Sequence, residues 1–71
     1  MKDLGGTMNI AELLEDAARL SDRAAATTRE IETEPQRDAK AFKIALAGEL
    51  LLRAHSQLLA ATRLLVAEQP N

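Results

Sequence analysis

From Ala39 to Ala67 the chain carries no proline and a single glycine, and its apolar residues recur at helical spacing. Wound at 3.6 residues per turn, Ile44, Ala47, Leu51, Ala54, Leu58, Ala61, Thr62 and Leu65 fall on one side. Leu52, Leu59 and Val66 widen that side to roughly 200° of arc, where a helix burying one stripe needs about 100°. One neighbouring helix does not cover such a face. The second half of the chain therefore reads as a helix that touches more than one other helix.

The first half reads as its partner. Asn9 is placed to cap a helix, and Glu12 three residues later completes an Asn-x-x-Glu capping box. Met8 and Leu13 flank the cap as a hydrophobic staple. From there Ile10, Leu13, Ala17, Leu20, Ala24, Thr27 and Ile31 keep a seven-residue apolar repeat, the seam of an antiparallel hairpin or coiled coil. Asp16 and Glu15 stand three and four residues before Arg19 on the expected solvent side. Helix 1 is expected over about 10–32. Thr33-Glu34-Pro35-Gln36 breaks it, because Pro35 cannot continue a helix and biases Glu34 away from helical torsions. The same residues restart one: Thr33 as N-cap, Gln36 as its box partner and Pro35 in the first turn, or else Asp38 as the cap. Helix 2 is expected over about 35–68, stopped by Pro70, and a connection this short makes the two helices antiparallel neighbours. At roughly 45–50 Å against roughly 35 Å, helix 2 should overhang helix 1. Residues 1–7, with Gly5-Gly6, read as a flexible lead before a single domain over 8–69.

Composition narrows the function. The chain has 71 residues and no cysteine, so disulfides and thiolate metal sites are out, and association is the supplement left to a small core. A net charge of -2 with interspersed signs, and Phe42 as the sole aromatic residue, argue against nucleic acid. No run of about 18 apolar residues suggests membrane insertion, and the first residues lack a signal peptide's apolar stretch, so the cytoplasm is the expected location. No cofactor, metal or small-molecule substrate is expected: there is no phosphate loop, and Ser21 and Ser56 have no base beyond the lone His55. The expectation is a non-enzyme. Abundant Ala and more Arg than Lys suit a GC-rich bacterial genome.

His55 falls inside the apolar arc among Leu51, Leu52, Leu58, Leu59 and Thr62, and is read as a core or interface histidine bonded to Thr62, Thr27 or Thr28. Arg53-Ala54-His55-Ser56 resembles the phospho-accepting stretch of histidine phosphotransfer domains, which implies a phosphotransfer bundle centred on His55. Gln57, Leu58 and Leu59 stand where those domains keep a Lys and a Gly. Mid-helix Gly48 suggests a close helix crossing, with Ala41, Ala45 and Ala47 nearby.

The whole layout, over residues 10–67, resembles the small α-hairpin proteins of bacterial type III secretion systems. Asp38-Ala39-Lys40-Ala41-Phe42, with an aromatic early in helix 2 and a long apolar face after it, is similar to the needle co-chaperones, hairpins that hold a tetratricopeptide-type chaperone. The Pro-containing break at Thr33-Glu34-Pro35-Gln36 is similar to that of needle and inner-rod subunits. Those subunits carry Tyr or Trp in helix 2 and an apolar end, which this chain lacks. The resemblance implies a chaperone-like subunit, or else a polymerising filament subunit.

The fold expected is an all-α antiparallel two-helix hairpin that completes a four-helix bundle or a hetero-helical assembly by association. Its hairpin core is assigned to Ile10, Leu13, Ala17, Leu20, Ala24 and Ile31 from helix 1 and to Ile44, Leu51, Leu58 and Leu65 from helix 2. The outward interface is assigned to Leu46, Leu50, Leu52, His55, Leu59, Leu64 and Val66, which would meet a second copy of the chain or another helical protein.

Overall fold

A computed structural model describes residues 8–68, so the expected lead at 1–7 lies outside the described residues. Two helices, α1 (Ile10–Thr33) and α2 (Arg37–Glu68), pack side by side as a hairpin, and no strand occurs among the described residues.

The start of α1 follows from its side chains. Asn9 Oδ1 accepts from the Glu12 amide at 2.8 Å, and Glu12 Oε1 accepts from the Asn9 amide at 3.0 Å. Two donors that a helix leaves unpaired at its N-terminus are thereby satisfied. At the other end Glu34 leaves helical geometry and its amide donates to the Ile31 carbonyl. Thr33 stays inside α1, its hydroxyl donating to the Glu30 carbonyl, so it is not the N-cap of the second helix. Pro35 lies in the three-residue connection rather than in the first turn of α2, and Asp38 sits within that turn rather than capping it. There Asp38 complements the positive end of the helix dipole. The Glu34 side chain closes the turn instead: Oε2 accepts from the Gln36 amide at 3.1 Å and Oε1 from Lys43 Nζ at 2.7 Å.

The seam between the helices is thin. Leu13, Ala17 and Ala24 of α1 are buried against Ala47, Leu50, Ala54 and Ala61 of α2. Ile10, Leu20, Thr27 and Ile31 are half-buried beside them, so the seven-residue repeat of the first helix is the packed one. Five of these seven buried residues are alanines, which let two backbones approach closely but bring little apolar area to the core.

The α2 side of the seam differs from the expected one. Ile44, Leu51, Leu58 and Leu65 are not hairpin core: they are 54%, 53%, 45% and 59% exposed. Leu50, expected outside, is 2% exposed, and Leu46 and Leu64 are half-buried behind it. The packed stripe runs Lys43, Ala47, Leu50, Ala54, Gln57, Ala61 and Leu64, a three-four repeat that contains the small residues. Polar pairing anchors this rotation of α2. Gln57 Nε2 donates to Asp16 Oδ2 at 2.6 Å and, more weakly, to Met8 Sδ at 3.7 Å. Lys43 Nζ reaches Glu30 Oε1 at 3.3 Å as well as Glu34. Turning α2 to bury Leu51 and Leu58 would break both sets.

Candidate functional site

Spacing along the two helices divides the flat hairpin into a charged side and an apolar side. On the charged side α1 carries Asp16, Arg23 and Glu30, while α2 carries Glu49, Arg53 and Ser56. Arg19 Nη2 meets Asp16 Oδ1 at 3.0 Å and Arg53 Nε meets Glu49 Oε2 at 3.2 Å. Asp16 is not simply solvated: Gln57, then Arg19, donate to it and hold its carboxyl below the ordinary value. Asp16, Leu20, Arg53, Ser56 and Gln57 line a shallow groove of about 340 Å³ on this side. Asp16 already pairs with Gln57 and Arg19, and Arg53 with Glu49, so these groups are engaged rather than aimed at a ligand. Among the described residues, no three His, Asp or Glu side chains are placed to hold a metal ion.

The opposite side carries the candidate site. Ile44, Leu51, Leu52, Leu58, Leu59, Leu65 and Val66 of α2 are exposed between 43% and 65%, and Leu14 of α1 adds 48%. Helical spacing sets Leu14 on the flank of α1 turned away from Asp16 and Glu30, with Ala18, Ser21, Ala25 and Thr28 around it. From Ala41 onward no charged residue falls within the α2 arc that joins Ala41, Ile44, Gly48, Leu51, Leu52, His55, Leu58, Leu59, Thr62, Leu65 and Val66; Arg37 and Lys40 share the arc only in the first turns of the helix. The polar members of the face are muted. Thr62 donates its hydroxyl to the Leu58 carbonyl of its own helix at 3.0 Å, and Thr28 does the same to Ala24 at 2.7 Å. Each hydroxyl so bonded spends its donor on its own helix. Contiguous exposed apolar patches of this kind are characteristic of protein–protein or membrane interaction sites and ligand-binding grooves.

Of the residues expected at the outward interface, Leu52, His55, Leu59 and Val66 are exposed on this face. Leu50 is in the hairpin core, and Leu46 and Leu64 border it. Ile44, Leu51, Leu58 and Leu65 join the outward set, together with Leu14. The signal that finds them is the seven-residue spacing of Ala47, Ala54 and Ala61, which matches that of Ala17 and Ala24. Small residues at the same period on both helices mark the close-packed seam.

His55 is exposed, and the hydrogen bonds expected for it do not form, since Thr62 and Thr28 bond to their own helices. Its exposure gives the access that a phospho-acceptor needs. Its neighbours one turn away, Leu51, Leu52, Leu58 and Leu59, offer no charge to hold a phosphoryl group. Gly48 makes no close crossing within the hairpin: a Cβ built there meets nothing within 4 Å. No described helix is long and apolar enough to cross a membrane. No family model matches the chain, and neither a curated protein nor a solved structure matches it.

Proposed function

We propose that this chain is a non-enzymatic helical interaction module whose docking surface is the exposed apolar face of α2. The observation that carries the reading is the division of its leucines. The hairpin fills its seam with alanines and keeps Leu51, Leu52, Leu58 and Leu59 outside, where they weaken solubility unless another surface covers them. The covering partner we infer is apolar and helical, because a long stripe without charge from Ala41 to Val66 fits the groove of another helix or helix pair. The resemblance to secretion-system hairpins supports the same reading, with a chaperone-like subunit as the role and the polymerising subunit as its rival.

The test compares two double variants with the parent chain. Leu52→Glu with Leu59→Glu should keep its helical circular dichroism, lose association, and lose the fluorescence of a dye that reports exposed apolar surface. Glu49→Gln with Arg53→Gln, on the charged side, should change none of these. If the leucine variant associates like the parent, the docking surface lies elsewhere.

A further inference from the structure

The exposed stripe of α2 has a second periodicity, and it identifies the occupant. Ile44, Gly48, Leu51, His55, Leu58, Thr62 and Leu65 step by four and three residues in strict alternation, the spacing of a coiled-coil seam. Within it, large aliphatic residues at 44, 51, 58 and 65 alternate with Gly48, His55 and Thr62. We propose that the face is covered by a second copy of this chain, with the two α2 helices antiparallel across a two-fold axis near His55, giving a four-helix bundle. This deepens the interaction reading above and rests on it.

Three observations carry the proposal. First, the stripe is complementary to itself. An antiparallel copy with its axis level with residue 53 sets Leu58 of one chain over Gly48 of the other, Leu51 over His55, and Ile44 over Thr62. Each bulky side chain then meets a smaller or polar one, and both copies make the same contacts, as a two-fold interface demands. Second, Gly48 is unexplained inside the hairpin. A mid-helix glycine costs about 1 kcal/mol relative to alanine, and the space beside it is empty, with nothing within 4 Å of a Cβ built there. The surface beside Gly48 is open, so a side chain of a second copy can approach its backbone closely. Third, the area is of the right order. Leu14 of α1 and the seven exposed aliphatic side chains of α2, at about 100 Å² each, would offer about 800 Å² per copy if all were covered, the share of a standard stable interface. Leu52, Leu59 and Val66 lie towards the outer edge of α2, away from α1, which centres the contact on α2 against α2 rather than on α2 against α1.

The experiment uses the full chain and its lack of cysteine. Sedimentation equilibrium over a hundredfold concentration range should give a monomer–dimer equilibrium that ends at twice 7.7 kDa. A single Ala67→Cys, spin-labelled, should report a distance between copies of about 40–45 Å, because this register places position 67 about 21 Å along the helix from the axis in each copy. Gly48→Gln, a residue that helices and open solvent both accept, should weaken dimerisation at least tenfold at unchanged helicity. A dimer whose labels lie within about 20 Å of each other overturns the antiparallel pairing, as does a Gly48→Gln dimer of parental strength. An open-ended series of larger species overturns it in favour of a filament. A folded monomer at every concentration also overturns it. If that monomer binds the apolar dye and Leu52→Glu abolishes the binding, the face remains a docking surface for another protein. If it binds no dye, the interaction reading falls too.

Discussion

Lys43 is the residue that most clearly links the two helices at the loop. Its hydrogen bond holds the Glu34 carboxyl below the ordinary carboxylate value, with help from the Gln36 amide, and Glu34 and Glu30 together hold the Lys43 ammonium above its usual value. A depressed carboxylate adds stability above its unfolded pKa and loses it as pH falls through the folded value. A raised ammonium adds stability below its unfolded pKa and loses it as pH rises through the folded value. The clamp should therefore be intact across the neutral range and fail at both extremes. Lys43→Met should remove the alkaline fall in melting temperature and leave an acid fall, because Asp16 is also held below its ordinary value. An alkaline fall that survives unchanged in Lys43→Met would show that the clamp contributes nothing. At the other end of α1, Asn9→Ala removes one of the two capping bonds and should cost about 1 kcal/mol in denaturant unfolding.

At the scale of the element, the two helices were unequally legible. Helix α1 has a single apolar stripe, so its seam from Ile10 to Ile31 and its capping box can be read from spacing alone. Helix α2 is apolar over so wide an arc that several rotations bury a plausible stripe. Bulk suggests the rotation that buries Ile44, Leu51, Leu58 and Leu65; packing selects the one that buries Ala47, Ala54 and Ala61. The reason is geometric. Helices meet closely where their small residues coincide, and Ala17 and Ala24 already set that distance on α1. Gln57 and Lys43 then fall opposite Asp16, Glu30 and Glu34. The connection resisted reading for a local reason, since Thr33, Pro35 and Asp38 all offer helix-start chemistry and the Glu34 side chain takes the role instead. The seam can be probed directly. Ala54→Leu should force the helices apart and destabilise the hairpin by about 1–3 kcal/mol. Leu50→Glu should unfold it, whereas Leu52→Glu, two residues on, should leave circular dichroism unchanged and affect association only. Equal loss of helicity in both would contradict the buried–exposed contrast between them.

The described hairpin is 54 × 27 × 14 Å, and its shortest dimension is little more than one helix diameter of about 10–12 Å. Its radius of gyration is 16.0 Å, against about 11 Å for a compact domain of this length. Domains are built from two packed layers around a core, and this hairpin is one layer. Association would supply the second. Folding and assembly should then be coupled, so the melting temperature should rise with protein concentration. A melting temperature that is flat over a hundredfold range would mean that the alanine seam suffices alone.

The leucine face also has a consequence for the cell that makes the chain. A copy without a partner would display to a protease or a chaperone the same aliphatic surface that a misfolded chain displays. If the proposed association holds, surplus copies would then be removed while assembled ones are hidden. The steady amount of this protein would follow the stoichiometry of its assembly rather than its rate of synthesis.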